Sequence, residues 1–273
     1  MKCPYCLNNH AVKNGKKVNG NQNYKCVDCN KQFVETYGTI FYRKYKDAKQ
    51  TLIPSGLLNI KGYMGFRLVE QFIEFLFGVK RSYTTFYYRH KSLEGKFEEL
   101  MNQYKPNYTK TWHIDELFHK CKKNPTKFRY LFAVCDAKNN ILVLYPSNNR
   151  DTESAKKALM LARKQAGFNP EIVIHDGCPI YEACKTIFGR KVRFVQAHFK
   201  AEPFLYVNKE VRELYYLSNN RIEGLNSWIR QWLHHFRGFK SYSNSYIWCF
   251  MFMALWNLLH TMRINELALA LLK

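Results

Sequence analysis

Acids are scarce in this chain: 43 Lys and Arg stand against 21 Asp and Glu, for a formal charge of +22 at pH 7. A carboxylate set among bases and apolar residues therefore needs a reason. Glu223 is one such residue. It lies in LSNNRIEGLNSWIRQWLHHFRGF (217–239), where Leu225, Trp228, Ile229, Trp232 and Leu233 recur at helical spacing and Arg221, Arg230 and Arg237 crowd close. Asp115 sits in the apolar run Trp112-His113-Ile114-Asp115-Glu116, and Asp176 precedes Gly177 at the end of another. A lone Asp in such a run is uncommon. Three carboxylates gathered in one place would repel one another without cations. Hard, oxygen-seeking ions such as Mg2+ or Mn2+ would satisfy them, and a pair of such ions serves phosphoryl transfer. Plainer readings stand beside this one: Asp176 as an ordinary turn residue, Glu223 as a surface carboxylate paired with Arg221 or Arg230. Glu116 falls on the opposite face of a strand by alternation and is set aside.

A second constellation lies at the amino terminus. Cys3-Pro4-Tyr5-Cys6 and Cys26-Val27-Asp28-Cys29 are two CxxC knuckles with nineteen residues between them. Each can offer two thiolates to one tetrahedral zinc, and residues 1–36 are too few to fold around a core of their own. A redox CxxC would need only one pair, in a βαβ setting that is missing. Lys13, Lys16, Lys17, Lys25 and Lys31 favour phosphate contact, against a purely structural or protein-docking ribbon. Cys121, Cys135, Cys178, Cys184 and Cys249 lack ligand spacing and are expected to pack.

The elements that must position these groups follow a legible order. Residues 42–61 are mixed and basic, with Pro54-Ser55-Gly56 as a break. Residues 66–77 have helical periodicity, 78–82 turn, and 83–90 resume helix. With Arg81, Arg89 and Lys91 this is a helix-turn-helix pattern, one that any two packed helices could give but that here follows a zinc ribbon in a cationic chain. A linker helix follows at 94–104, and Pro106-Asn107 marks a boundary. Beyond it, 111–118, 128–135 and 141–145 read as strands, 151–167 as a helix, 171–175 as a buried parallel strand, 180–188 as helix and 192–195 as a strand before the Glu223 helix. That order predicts an α/β fold: an RNase H-like catalytic domain (110–273) preceded by a zinc ribbon (1–36) and a helical helix-turn-helix region (42–105).

Charge and composition bound the function. Residues 1–110 carry +11 and 111–273 another +11. A basic surface over the whole length suits nucleic acid, with an ordinary basic enzyme as the alternative. MKCPYC lacks a signal peptide's apolar segment, and the greasiest run, 246–259, contains Asn257 and is too short to span a bilayer. Reduced cysteines in a cytoplasmic, nucleoid-associated protein without membrane contact are expected.

Three segments resemble the DDE transposases of prokaryotic insertion sequences: WHIDELFHK around Asp115, IHDGCPIY around Asp176, and NNRIEGLNSWIRQWLHHFRGFKS around Glu223. The likeness runs from about Arg67 to His260 and points to the compact insertion-sequence-six group, with zinc-ribbon-bearing relatives as neighbours. Asn220, Arg221, Glu223, Asn226, Gly238, Phe239 and Lys240 match what that family shows. The resemblance implies catalytic Asp115, Asp176 and Glu223 holding two Mg2+ or Mn2+ ions, and one structural zinc on Cys3, Cys6, Cys26 and Cys29. It implies DNA contact by Arg230 near the cut, with Arg221, Lys240, Arg81 and Arg89 as further DNA-binding candidates. The expected activity is strand cleavage at the ends of a mobile element and joining of the 3′-hydroxyl to target DNA, by a homodimer or larger assembly. The alternatives are an inactive DNA-binding relative and an RNase H-like nuclease that does not join strands. The interval from Asp176 to Glu223 is longer than the group's, so 200–216 is expected to insert a loop or short helix. His198 and His113 are lesser candidates beside the acids, each of which packing would also explain. Trp228 and Trp232 are expected in the core, and Tyr242 is a plausible backbone contact.

Overall fold

The computed structural model describes residues 1–39, 41–42, 44–119, 130–189, 191–197, 219–236, 239 and 241–272. Cys121, His198, Arg237, Gly238, Lys240 and the expected insertion at 200–216 lie outside the described residues. The chain divides into two compact units, Met1–Lys96 with Arg263–Lys273, and Phe97–Met262.

In the first unit, β1 (Ala11–Lys16), β2 (Gln22–Cys26) and β3 (Gln32–Val34) form an antiparallel sheet in that order. Among the described residues its apolar interior is Cys3, Cys26 and Phe33, flanked by Cys6, Ala11, Tyr24 and Cys29. So small an interior cannot offset chain entropy by burial alone. Three helices follow: α1 (Ala48–Ile60), α2 (Phe66–Phe77) and α3 (Tyr83–Lys91). Gly78 closes α2 in the left-handed region at φ 62°, and the Tyr83 N–H at the start of α3 donates to Glu70 at 2.9 Å. The helix–glycine–helix order expected from the sequence is present. This unit also takes in the last helix of the chain, Ile264–Leu272, which the sequence had placed with the catalytic region.

One expectation fails here for a physical reason. Pro54-Ser55-Gly56 does not break the chain; α1 runs through it. Gly56 meets a packing need instead: a Cβ there would stand 3.1 Å from Nε2 of His90 on α3. Arg81 and Arg89 both turn to Asp47. Arg81 reaches its Oδ1 at 2.9 Å and Arg89 its Oδ2 at 3.0 Å, with Arg89 also donating to Thr51. Burial opposes ionisation of Asp47, but the two guanidiniums hold its carboxyl below the ordinary range. Arg89 is buried in this clamp, and its charge fastens α3 to the start of α1.

α4 (Glu94–Gln103) leads into the second unit, a five-stranded mixed sheet in the order β6-β5-β4-β7-β8. β4 (Thr111–Phe118), β5 (Tyr130–Asp136) and β6 (Ile141–Ser147) are antiparallel; β7 (Ile172–His175) and β8 (Arg193–Gln196) add in parallel. This is the predicted RNase H-like sheet. α5 (Thr152–Ala166) begins where Asp151 accepts the Ser154 N–H at 2.8 Å and ends on Gly167 at φ 87°. The helix expected at 180–188 is split into a short α6 (Pro179–Glu182) and a 3-10 stretch, Ala183–Ile187. Trp112 and Ile114 of β4 join the core beneath α5, so His113 and Asp115 face the other side. That side meets α7 (Asn220–Phe236), while α8 (Tyr242–Thr261) packs on β6.

α8 contains the greasiest run of the chain and is buried along most of its length. No helix among the described residues is long and apolar enough to cross a membrane. Its Asn257 is fully buried and grips the edge strand β6: Oδ1 accepts the Ile141 N–H at 2.8 Å, and Nδ2 donates to the Ile141 carbonyl at 2.7 Å. Asn257→Leu, close in volume, leaves both backbone groups without partners. We expect a loss of about 3 kcal/mol of stability, read as a lower urea midpoint at unchanged slope.

Candidate active site

Asp115 stands on the face of β4 that meets α7. Its Oδ1 accepts the Glu116 N–H at 2.8 Å, and its Oδ2 accepts Nδ2 of Asn226 at 2.6 Å. Burial, then the charges of Glu116 and Asp176, push its carboxyl up to about 7; the Glu116 N–H and the Arg230 charge oppose the shift. A carboxyl so placed favours either a proton or a cation.

Asp176 follows β7 directly. The parallel register pairs His113 with Ile174, and two residues on, Asp176 comes beside Asp115 at the carboxyl end of β7. Sheet ligands gather at such ends. The turn is held from several sides. Oδ1 of Asp176 accepts the Cys178 N–H at 2.9 Å, and Nδ1 of His175 accepts the Gly177 N–H at 3.1 Å. With Nδ1 an acceptor, the imidazole proton sits on Nε2, 3.2 Å from a Glu182 carboxylate oxygen. Gly177 has φ 88°, and a Cβ on it would lie 2.2 Å from Nε2 of Gln196.

Glu223 lies in the first turn of α7 and is exposed. Asn226 stands one turn on and Arg230 one turn further, so the three share a face. Asn226 is buried on Asp115, and the charge of Arg230 reaches Asp115. The structure thus draws Asp115 and Asp176 together and turns the Glu223 face of α7 toward Asp115. It does not close the three acids into one tight cluster: among the described residues only the four cysteines bring three or more ligand atoms within 4.8 Å of one another. Arg221 is half-buried, and its charge acts on His113 and Cys135 on neighbouring strands.

Glu116 occupies the opposite face. It is held by Arg150 and by the Tyr181 hydroxyl, an arrangement that keeps a second acid near Asp115 already partnered. His113 is fully buried, and among the described residues neither ring nitrogen has a hydrogen-bond partner. Burial, with Arg221 nearby, lowers its pKa to about 4 and keeps it neutral. Trp232 is core, but Trp228 is half exposed. Sequence reasoning assigned no role to Asn226, Arg150, Tyr181 or His175. The helical spacing from Glu223 and the family match were the signals available for Asn226; His175 acts locally on the Gly177 turn, while Arg150 and Tyr181 reach Glu116 across 34 and 65 residues.

The four cysteines do converge. Sγ atoms of Cys3 and Cys29 are 3.6 Å apart and those of Cys6 and Cys26 3.5 Å. A tetrahedral zinc with Zn–S of about 2.3 Å sets sulfurs roughly 3.8 Å apart, so the set fits. Burial opposes ionisation of Cys3, yet backbone N–H groups of Cys6 and Tyr5 and the neighbouring thiols draw it down to about 7. Cys135, Cys184 and Cys249 are buried packing residues. The acid side fits its ions too: Asp115 and Asp176 are hard oxygen donors whose mutual charge the protein alone leaves largely uncompensated.

A search of curated proteins returned no match. Among solved structures, this chain is similar to one in a simian T-cell lymphotropic virus intasome in complex with PP2A regulatory subunit B56 gamma. The identity is 17%, the TM-score 0.38, and the match covers 57% of this chain and 50% of that one. This chain therefore spans half the length of that neighbour, a likeness too loose to carry an argument. The family model DDE_Tnp_IS240, a DDE domain, matches residues 109–260. That stretch is more than half the chain and contains Asp115, Asp176 and Glu223; the protein belongs to this DDE-domain transposase family.

Proposed function

We propose that the protein binds the ends of a mobile element, cuts a DNA strand there and joins the freed 3′-hydroxyl to target DNA. The observation that carries this reading is the pair of Asp115 on β4 and Asp176 just past the end of the adjacent β7, facing the helix that bears Glu223, Asn226 and Arg230 within the matched domain. In this reading Asp115, Asp176 and Glu223 hold two Mg2+ or Mn2+ ions. Bound there, these supply Lewis acidity at the scissile phosphate and acidify the attacking hydroxyl. Asn226 fixes one oxygen of Asp115, and the Asp176 turn is anchored by Cys178 and His175, so the acids are oriented before DNA arrives. Arg230, with Arg221 and Lys240, contacts DNA phosphates near the cut. Ribbon and helix-turn-helix hold the element ends, with Arg81 contributing a partly exposed guanidinium while Arg89 stays in its Asp47 clamp. The four cysteines carry one structural zinc. Two ends must be handled together, so the working form is a homodimer or larger, associated with the nucleoid.

Asp176→Asn should abolish Mg2+-dependent cleavage of an end-containing duplex and joining of a pre-cut end, while binding of that duplex is unchanged. Cleavage without joining by the wild-type protein would mark a nuclease, and neither activity a DNA-binding relative.

The Asp115 carboxyl titrates near 7 when folded, against 3.8 ordinarily. Between those values the folded state holds a proton that the unfolded chain has released, so stability falls as pH rises through this window. In protein free of Mg2+ and Mn2+, Asp115→Asn should remove that slope and raise the melting temperature at pH 7.5 by a few degrees, with cleavage lost.

Chelation should release one zinc per chain and unfold the ribbon, read by a colorimetric zinc assay and by new proteolysis before Thr36. Cys26→Ser should do the same without chelator.

A further inference from the structure

Arg150 is engaged by a carboxylate that the catalytic reading does not use. β6 runs parallel to β4, because each pairs antiparallel with β5, and β7 is parallel to β4 as well. The carboxyl ends of all three strands therefore share one edge of the sheet, the edge that carries Asp115 and Asp176. Arg150 stands just past Ser147, the last residue of β6, and so rises from that same edge. Its guanidinium lies within electrostatic reach of Cys178 and Tyr181, which follow Asp176 closely in the chain. It belongs to the α5 side, whereas Arg230 approaches Asp115 from the α7 side.

The guanidinium is held by one corner. Nε donates to Oε1 of Glu116, and the Tyr181 hydroxyl donates to Oε2. The Glu116 side chain is 6% exposed and that of Arg150 45%. An arginine whose whole task was to neutralise a buried carboxylate would lay paired N–H groups on both oxygens. Here Tyr181 takes one of them, and among the described residues neither Nη of Arg150 has a partner. A planar fork fixed at one nitrogen, with the others open, is a preorganised ligand for a phosphate. We propose that Arg150 binds a DNA phosphate beside the acids and that Glu116 aims it. This rests on the DNA-cutting reading above and adds a contact to it. Arg150 and Arg230 then set a base on each side of carboxylates that would by themselves repel the DNA backbone.

Binding of an end-containing duplex over a salt series, with Ca2+ in place of Mg2+, tests this. Arg150→Ala should raise the dissociation constant about tenfold and reduce the salt slope by about one, with circular dichroism unchanged. Arg150→Lys keeps the charge and should recover most of that slope. Replacing single phosphates by neutral methylphosphonates should reveal one position that costs the wild type as much and costs Arg150→Ala nothing further. An unchanged affinity in Arg150→Ala, or a scan in which the two losses add at every position, would overturn the proposal. So would an Arg150→Ala, Glu116→Gln pair that binds as tightly as wild type, since Arg150 would then only balance Glu116. Mg2+-dependent cleavage by the same preparations separates the two readings. Binding that depends on Arg150 without any cleavage sinks only the catalysis, and cleavage with binding indifferent to Arg150 sinks only this contact.

Discussion

Everything at the candidate site depends on the burden of one buried carboxylate. Asp115 lies in the middle of the sheet, with Glu116 next in sequence and Asp176 just past the end of the adjacent strand. Burial and like charge both disfavour its ionised form. The protein answers with a backbone N–H, the Asn226 amide and the more distant Arg230, and these do not cancel the cost. Strain of this kind persists only where surrounding structure over-determines the geometry. Here the strand register, the Gly177 turn and the docked α7 do that work.

The neighbouring acid shows how that geometry is kept selective. Alternation sends Glu116 to the face beneath α5, where Arg150 and Tyr181 engage it. Two adjacent carboxylates thus have separate fates: one is neutralised within the protein, and the other is left facing a helix that carries a third. On the far side of the same sheet, α8 does for the edge strand what a neighbouring strand would do, through a single asparagine.

What could be read from the chain divides by distance along it. The strands bearing Asp115 and preceding Asp176 are apolar runs with local boundaries, and α5 is bracketed by Asp151 and Gly167; such signals sit within a few residues of what they specify. The cysteine spacing was equally local, and the four thiols met. The misreading and the omissions come from partners far away. Gly56 suggested a break because the His90 ring that needs its missing Cβ lies 34 residues on. The clamp on Arg89 left no local trace because Asp47 is 42 residues back. Asn226 matched a family pattern, but its partner lies 111 residues earlier, and no periodicity reports such a bond.

The contact between Gly177 and Gln196 ties two stretches that a sequence comparison would treat as independent. β8 is the outer strand on its side of the sheet, and Gln196 at its end fills the space any side chain at 177 would need. Drift in that border strand is therefore constrained by the acid-bearing turn, and a graft that replaces residues 193–196 would have to preserve a close-fitting amide at its last position. The outermost strand here is inherited together with the site.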